Sequence, residues 1–213
     1  AALEARTEGW AAGLQAAALS LQGRADVAGF IEAFTGSQRY VMDYLVEEGL
    51  NRQTPDIQAV WLQTAVAGRL CGGLCNALTG REDGQDLLER LEGAGLFLVA
   101  LDDERRWYRY HHLFADMLRH RLMLLPGGAE PYHRRAADWY RQNGMPVEGI
   151  EHALAARDYE LAASILEPVA AELVMRESRF SQVIHWLGVF PEEVRRARPA
   201  LNYWFAVALF FSG

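Results

Sequence analysis

The chain has 213 residues, a formal net charge of −7, 51% hydrophobic and 23% charged residues. That is the balance of an ordinary globular protein with room for two small domains, and its acidity excludes a chain-wide basic footprint for nucleic acid or anionic membrane. Two cysteines, Cys71 and Cys75, cannot make a disulfide framework or a zinc tetrad, and a cytoplasmic location is expected.

The first stretch, residues 3–22, reads as an Ala- and Leu-rich helix with Leu3, Trp10, Leu14, Ala17, Ala18 and Leu21 on one face. A second helix over about 26–35 ends near Gly36 and Ser37. Ser37 suits an N-cap, and Val41, Tyr44, Leu45 and Leu50 follow at amphipathic spacing. Pro55 opens the next helix, where its missing N–H is harmless, with Ile57, Val60, Trp61, Leu62 and Val66 as the apolar set. Leu70 to Leu78 reads as a short helix that includes both cysteines, and Leu87, Leu88 and Leu91 mark another, closed by Gly93 and Gly95.

The pattern then changes. Leu96 to Leu101 is an apolar run of strand length, Asp102 to Arg106 a charged connection, and Trp107, Tyr108 and Tyr110 supply the aromatics of a second strand. From Leu113 the period becomes helical through Phe114, Met117, Leu118 and Leu122. Helices that lead into a hairpin, which itself feeds a helix, give the layout of a winged helix.

Pro126 to Pro131 is the clearest linker. Beyond it helices are expected at 132–142, 147–156, 159–175 and 180–187. Pro191 to Pro199 frames a connector, and a last apolar helix ends at Gly213. Gly144 and Gly213 each close a helix, and a break at Arg176 to Ser178 falls midway, which gives a period of roughly 34 residues, the tetratricopeptide length. The expected class is mainly α: a winged helix with a small β-hairpin, then a tetratricopeptide-like superhelix whose concave face binds an effector. The longest apolar stretch, Leu201 to Phe211, is too short to cross a bilayer. With no initiator Met, and with an apolar helix left uncovered at the end, the chain reads as a fragment.

Trp107-Tyr-Arg-Tyr-His-His-Leu-Phe114 resembles the Tyr-Arg-Tyr-His-Pro-Leu-Phe segment of MalT-like, LuxR-family ATP-dependent transcriptional activators. These belong to the signal-transduction NTPases. Trp61 to Gly80 is similar to the same family, as is Thr7 to Gln15, which matches the end of the ATPase lid. The resemblance implies residues 1–36 as the lid end, 37–125 as the winged helix, 126–130 as the linker and 131–213 as truncated helical repeats. In the wider class the winged helix carries a Met-His-Asp motif whose histidine reaches the phosphates of ADP and holds the inactive state. His111 matches that histidine, with Arg109 as its helper. His112 stands where the class has Asp and where MalT relatives often have Pro. At the lid end Gly9 aligns with the class's Gly-Leu-Pro-Leu, but the Pro is missing.

The resemblance further implies ATP or ADP in the parent protein and no cofactor in this segment. It implies an upstream ATPase module of the same chain as partner, and a small-molecule or protein effector on the repeats. The parent would self-oligomerise, contact DNA only through a separate C-terminal domain, and not contact membrane. No Gly-x-x-x-x-Gly-Lys-Ser/Thr loop and no nucleophile–base arrangement occurs, so no catalysis is expected from the segment itself. Glu148 and His152, one turn apart, read as a solvated pair rather than a metal site. Two other classes stay open. One is a helical scaffold without nucleotide control. The other is DNA binding by the wing through Arg105, Arg106, Arg109, His111, His112, Arg119, His120 and Arg121.

Overall fold

The computed structural model describes residues 46, 50–95 and 97–212. The lid-end helices, the Ser37 cap and the closing role of Gly213 lie outside the described residues. The chain divides into two compact units, Ala1–Ala129 and Glu130–Gly213.

In the first unit Thr54 caps helix α1 (Pro55–Thr64), its hydroxyl accepting from the Ile57 N–H at 3.5 Å, with Pro55 at the start. Helix α2 (Gly72–Thr79) begins two residues later than the apolar run suggested. Leu70 is instead paired across to Tyr108, each donating its N–H to the other's carbonyl, at 2.7 and 2.8 Å. An apolar run cannot report this, because the partner lies far away in sequence. Cys71 consequently sits at the N-cap rather than inside the helix.

Helix α3 (Gly84–Gly93) crosses α2 very closely. A Cβ on Gly84 would stand 2.6 Å from the Gly72 carbonyl, and one on Gly72 would stand 2.7 Å from the Gln85 Cβ. Strands β1 (Leu98–Ala100) and β2 (Tyr108–Tyr110) pair antiparallel, with Leu98 opposite Tyr110 and Ala100 opposite Tyr108. Both strands are shorter than the sequence suggested. Phe97 has φ of 61°, which no strand residue adopts, and Trp107 belongs to the turn, where Asp102 accepts its N–H at 3.1 Å. Arg69 lies over the Trp107 ring, 4.4 Å from its centroid. Helix α4 (His112–Met123) then buries Leu113, Phe114, Met117, Leu118 and Leu122, the five positions expected from its period.

The second unit begins with helix α5 (Glu130–Gln142), so Glu130 and Pro131, read above as linker, form its first turn, where proline is tolerated. Helices α6 (Pro146–Ala155), α7 (Tyr159–Met175), α8 (Phe180–Val189), α9 (Glu192–Arg196) and α10 (Pro199–Ser212) follow. The α5–α6 turn is closed by Gly144 at φ of 71°, with the Met145 N–H reaching back to the Tyr140 carbonyl at 2.9 Å. At the next two turns the same left-handed position is taken by Arg157 and Ser178, side chains that adopt it at some cost.

Packing runs mostly between neighbours: α6 lies against both α5 and α7, and α10 against α7 and α8. The core is rich in small residues, among them Ala136, Ala137, Ala153, Ala162, Ala163 and Ala170, which lets the helices approach closely. Pro168 stands inside α7, where it removes one helical hydrogen bond. Helices α5, α7 and α10 start at residues 130, 159 and 199, spacings of 29 and 40 residues rather than an even period. The helix α9, within the expected connector, accounts for the longer second interval. Among the described residues no helix is long and apolar enough to cross a membrane.

Candidate functional site

The site predicted around His111 lies where β2 becomes α4. Alternation along β2 turns Tyr108 and Tyr110 into the core, 0% and 4% exposed, and puts Arg109 on the other face, half-buried. His111 continues that face and is also half-buried. Its backbone is pinned at both ends. Its N–H donates to the Phe97 carbonyl at 2.9 Å, and its own carbonyl accepts the Ala115 N–H at 2.9 Å, the first bond of α4. Its φ of −54° and ψ of 136° are those of an N-cap residue, so the helix starts with His112. Arg109 donates to the Tyr110 carbonyl at 3.4 Å, which keeps its guanidinium beside the strand end. His112, in the first turn of α4, is half-buried as well.

Beneath this junction lies an aromatic cluster. Phe97 stacks on Phe114 with centroids 4.1 Å apart, and Trp61 meets both rings edge-on at 5.8 and 5.0 Å. Tyr110 adds a second edge to Phe114 at 5.8 Å. The Tyr110 hydroxyl shares a 2.7 Å hydrogen bond with Thr64, whose Oγ1 also lies 2.7 Å from the Val60 carbonyl. Burial pushes the Tyr110 phenol far above its ordinary range, so it stays neutral. The left-handed Phe97 therefore does two jobs. It places its ring in the stack, and it turns its carbonyl to the His111 N–H. Neither Phe97 nor Thr64 stood out in the sequence. The nearest signal was Gly95, two residues before Phe97, whose φ of 69° marks a tight reversal.

The far end of the hairpin is chemically different. A polar recess of about 410 Å³ is lined by Glu92, Ala100, Leu101, Asp102, Asp103 and Arg105. Three carboxylates against one guanidinium suit a cation better than a phosphate. The wing's basic residues are also partly neutralised where they stand. Arg105 pairs with Glu92 at 3.5 Å, Arg106 with Glu104, and Arg119 with Asp116 at 2.9 Å. Burial raises both cysteine thiols, Cys75 to about 11, which makes each a poor nucleophile.

Residues 46–130 match the family model of the MalT winged helix domain. The chain is similar to the serine/threonine-protein kinase PknK of Mycobacterium tuberculosis (strain CDC 1551 / Oshkosh), 33% identical over 224 aligned positions that cover 94% of this chain and 20% of the kinase. It is also similar to the HTH-type transcriptional regulator MalT of Serratia proteamaculans, 37% identical over 166 positions covering 75% of the chain and 18% of that regulator. MalT of Cronobacter sakazakii is 38% identical over 161 positions, with 74% and 18% covered. The chain spans about a fifth of the length of the relatives it matches.

Proposed function

Because residues 46–130 are a MalT winged-helix domain and the chain is MalT-like, we propose that it is the regulatory portion of an ATP-dependent, inducer-responsive transcriptional activator. In this reading an upstream ATPase module of the same chain carries the nucleotide. The winged helix folds over that module while ADP is bound, and His111 donates a ring N–H to a phosphate oxygen, assisted by Arg109. The second unit opens a tetratricopeptide-like sensor region. Effector binding there favours the open state, ATP supports self-association, and a C-terminal LuxR-type domain contacts DNA. Coupling of this kind requires the effector to bind the open state more tightly than the closed one. The segment itself performs no catalysis, and its parent works in the cytoplasm.

The observation that carries the reading is the placing of His111. It is half-buried and clamped through its backbone to Phe97 and Ala115, at the strand–helix junction whose flanking residues Phe97 and Phe114 stack on each other. With its main chain already fixed, His111 needs no backbone reordering on meeting a phosphate, which suits a contact that must be made and released. A groove of about 510 Å³ between α5, α6 and α7, lined by Arg141, Pro146, Ile165, Pro168, Val169 and Glu172, has the size of a small-molecule site and is our candidate for the effector.

The similarity to PknK covers more of the chain than that to the MalT proteins, and it favours a second reading in which the same regulatory arm serves a kinase output. The test is uninduced output from the parent protein carrying His111→Ala, with His112→Ala as control. The first variant is expected to raise output without inducer and leave the melting temperature unchanged. Equal output from both variants and wild type would remove His111 from the mechanism. Kinase activity released in place of transcription would select the second reading.

A further inference from the structure

In the second unit, away from the winged helix, His133 on α5 and His152 on α6 face each other with their Nδ1 atoms 2.9 Å apart. The rings are tilted at 45° with centroids 4.9 Å apart, and His152 is stacked against Tyr140 at 5.3 Å. Both side chains are partly open to solvent. We propose that His133 and His152 form a two-histidine site for a divalent transition metal of tetragonal preference, Cu(II) or Ni(II), which ties α5 to α6.

The argument starts from the ligand separation. Two imidazole nitrogens bound about 2.0–2.1 Å from one ion stand about 2.8–3.0 Å apart when they subtend a right angle, and about 3.3 Å apart at the tetrahedral angle. The observed 2.9 Å is the length of the hydrogen bond that joins the rings without metal. It is also the separation of adjacent corners of a square-planar or tetragonal ion, so Cu(II) or Ni(II) could replace the bridging hydrogen without changing the spacing. The ligands sit on two helices that pack directly on each other, and Tyr140 holds the His152 ring, so the spacing is set by the fold rather than by two mobile side chains. Among the described residues no third His, Cys, Asp or Glu completes a cluster, so solvent would fill the remaining corners, and the partial exposure of both rings lets it do so.

Proton balance also allows the exchange. Without metal, one Nδ1 carries the hydrogen that bridges the pair and the other accepts it. When an ion takes both Nδ1 atoms, that hydrogen moves to Nε2 of the same ring. Two neutral imidazoles remain neutral, and no net proton is released.

The test uses the full chain, purified without a histidine tag and titrated with Cu(II) and Ni(II). One equivalent is expected to bind, to raise the melting temperature of the second unit, and to give a Cu(II) paramagnetic resonance spectrum with splitting from two nitrogens. His133→Gln and His152→Gln should each abolish that binding while circular dichroism stays that of wild type. A wild-type spectrum without two-nitrogen splitting overturns the proposal. So does binding that persists in either variant. If the variants do not fold, the wild-type spectrum and thermal shift decide the matter by themselves.

Discussion

The two units hold their cores together in different ways. The winged helix depends on a few large groups brought together from distant parts of the sequence. Trp61, Phe97, Tyr110 and Phe114 meet in one stack, Thr64 bonds to Tyr110 across 46 positions, and Leu70 bridges to Tyr108. The helical unit depends on many groups of mixed size, alanines set among leucines, valines, Trp186 and Phe190, meeting between neighbouring helices. The first arrangement fixes one junction, that of His111, with little play. The second is made of nearest-neighbour contacts that can shift by small steps along the array. Under the proposed function the former would serve as the clamp and the latter as the sensor.

The sharpest way to break this comparison is to remove one ring from the stack. Phe114→Ala deletes a fully buried side chain that touches three other aromatics, and is expected to destabilise the first unit by about 3–5 kcal/mol. Thermal unfolding followed by near-ultraviolet dichroism should lose the transition of that unit and retain that of the second. A single transition, lost for both together, would contradict the division of labour.

Acid should act on the other unit. Burial, together with the neighbouring His133, lowers the His152 pKa from 6.5 to about 4, and burial lowers that of His133 too. Between those values the unfolded chain binds protons that the folded unit refuses. Stability is therefore full above pH 6.5 and falls as the pH drops through 6.5 towards 4, by up to about 3 kcal/mol. Urea midpoints of the second unit at pH 7.5 and 4.5 measure this, and the double variant His133→Gln/His152→Gln should flatten the dependence.

The crossing of α2 and α3 gives a smaller effect. Gly84→Ala would press a methyl group to 2.6 Å from a backbone carbonyl and 2.5 Å from the Asn76 Oδ1, and is expected to cost about 1–3 kcal/mol. Gly93→Ala, with nothing within 4 Å of its added carbon, is the control and should cost nothing or stabilise slightly. Chemical denaturation of the two variants separates close packing from a general dislike of substitution.

What the sequence disclosed follows the same division. Helices with local periodicity were legible almost to the residue. The bounds of α7, Tyr159–Met175, and the buried face of α4 come directly from spacing, and the switch from hairpin to helix at His111 and His112 came from the change of period. Features that depend on a distant partner were not legible. Leu70 looked like the start of a helix because nothing nearby reveals Tyr108 as its partner. Phe97 looked like a strand residue because its left-handed backbone is imposed by the ring stack and by the His111 N–H. His152 was weighed against Glu148 on its own helix, whereas its partner is His133 on the preceding one. Pro168 gave no helix break, because the packing of α7 against α6 and α10 outweighs the single hydrogen bond it removes.

The central claim is that His111 holds the closed, ADP-bound state of the parent protein. The most direct measurement is the dissociation rate of ADP from that protein, wild type against His111→Ala, with His112→Ala as control. A charge-assisted hydrogen bond to phosphate is worth roughly 1.5–3 kcal/mol, so its loss should speed ADP release about ten- to a hundredfold, with the melting temperature unchanged. An ADP release rate equal to wild type in the folded His111→Ala protein would contradict the claim.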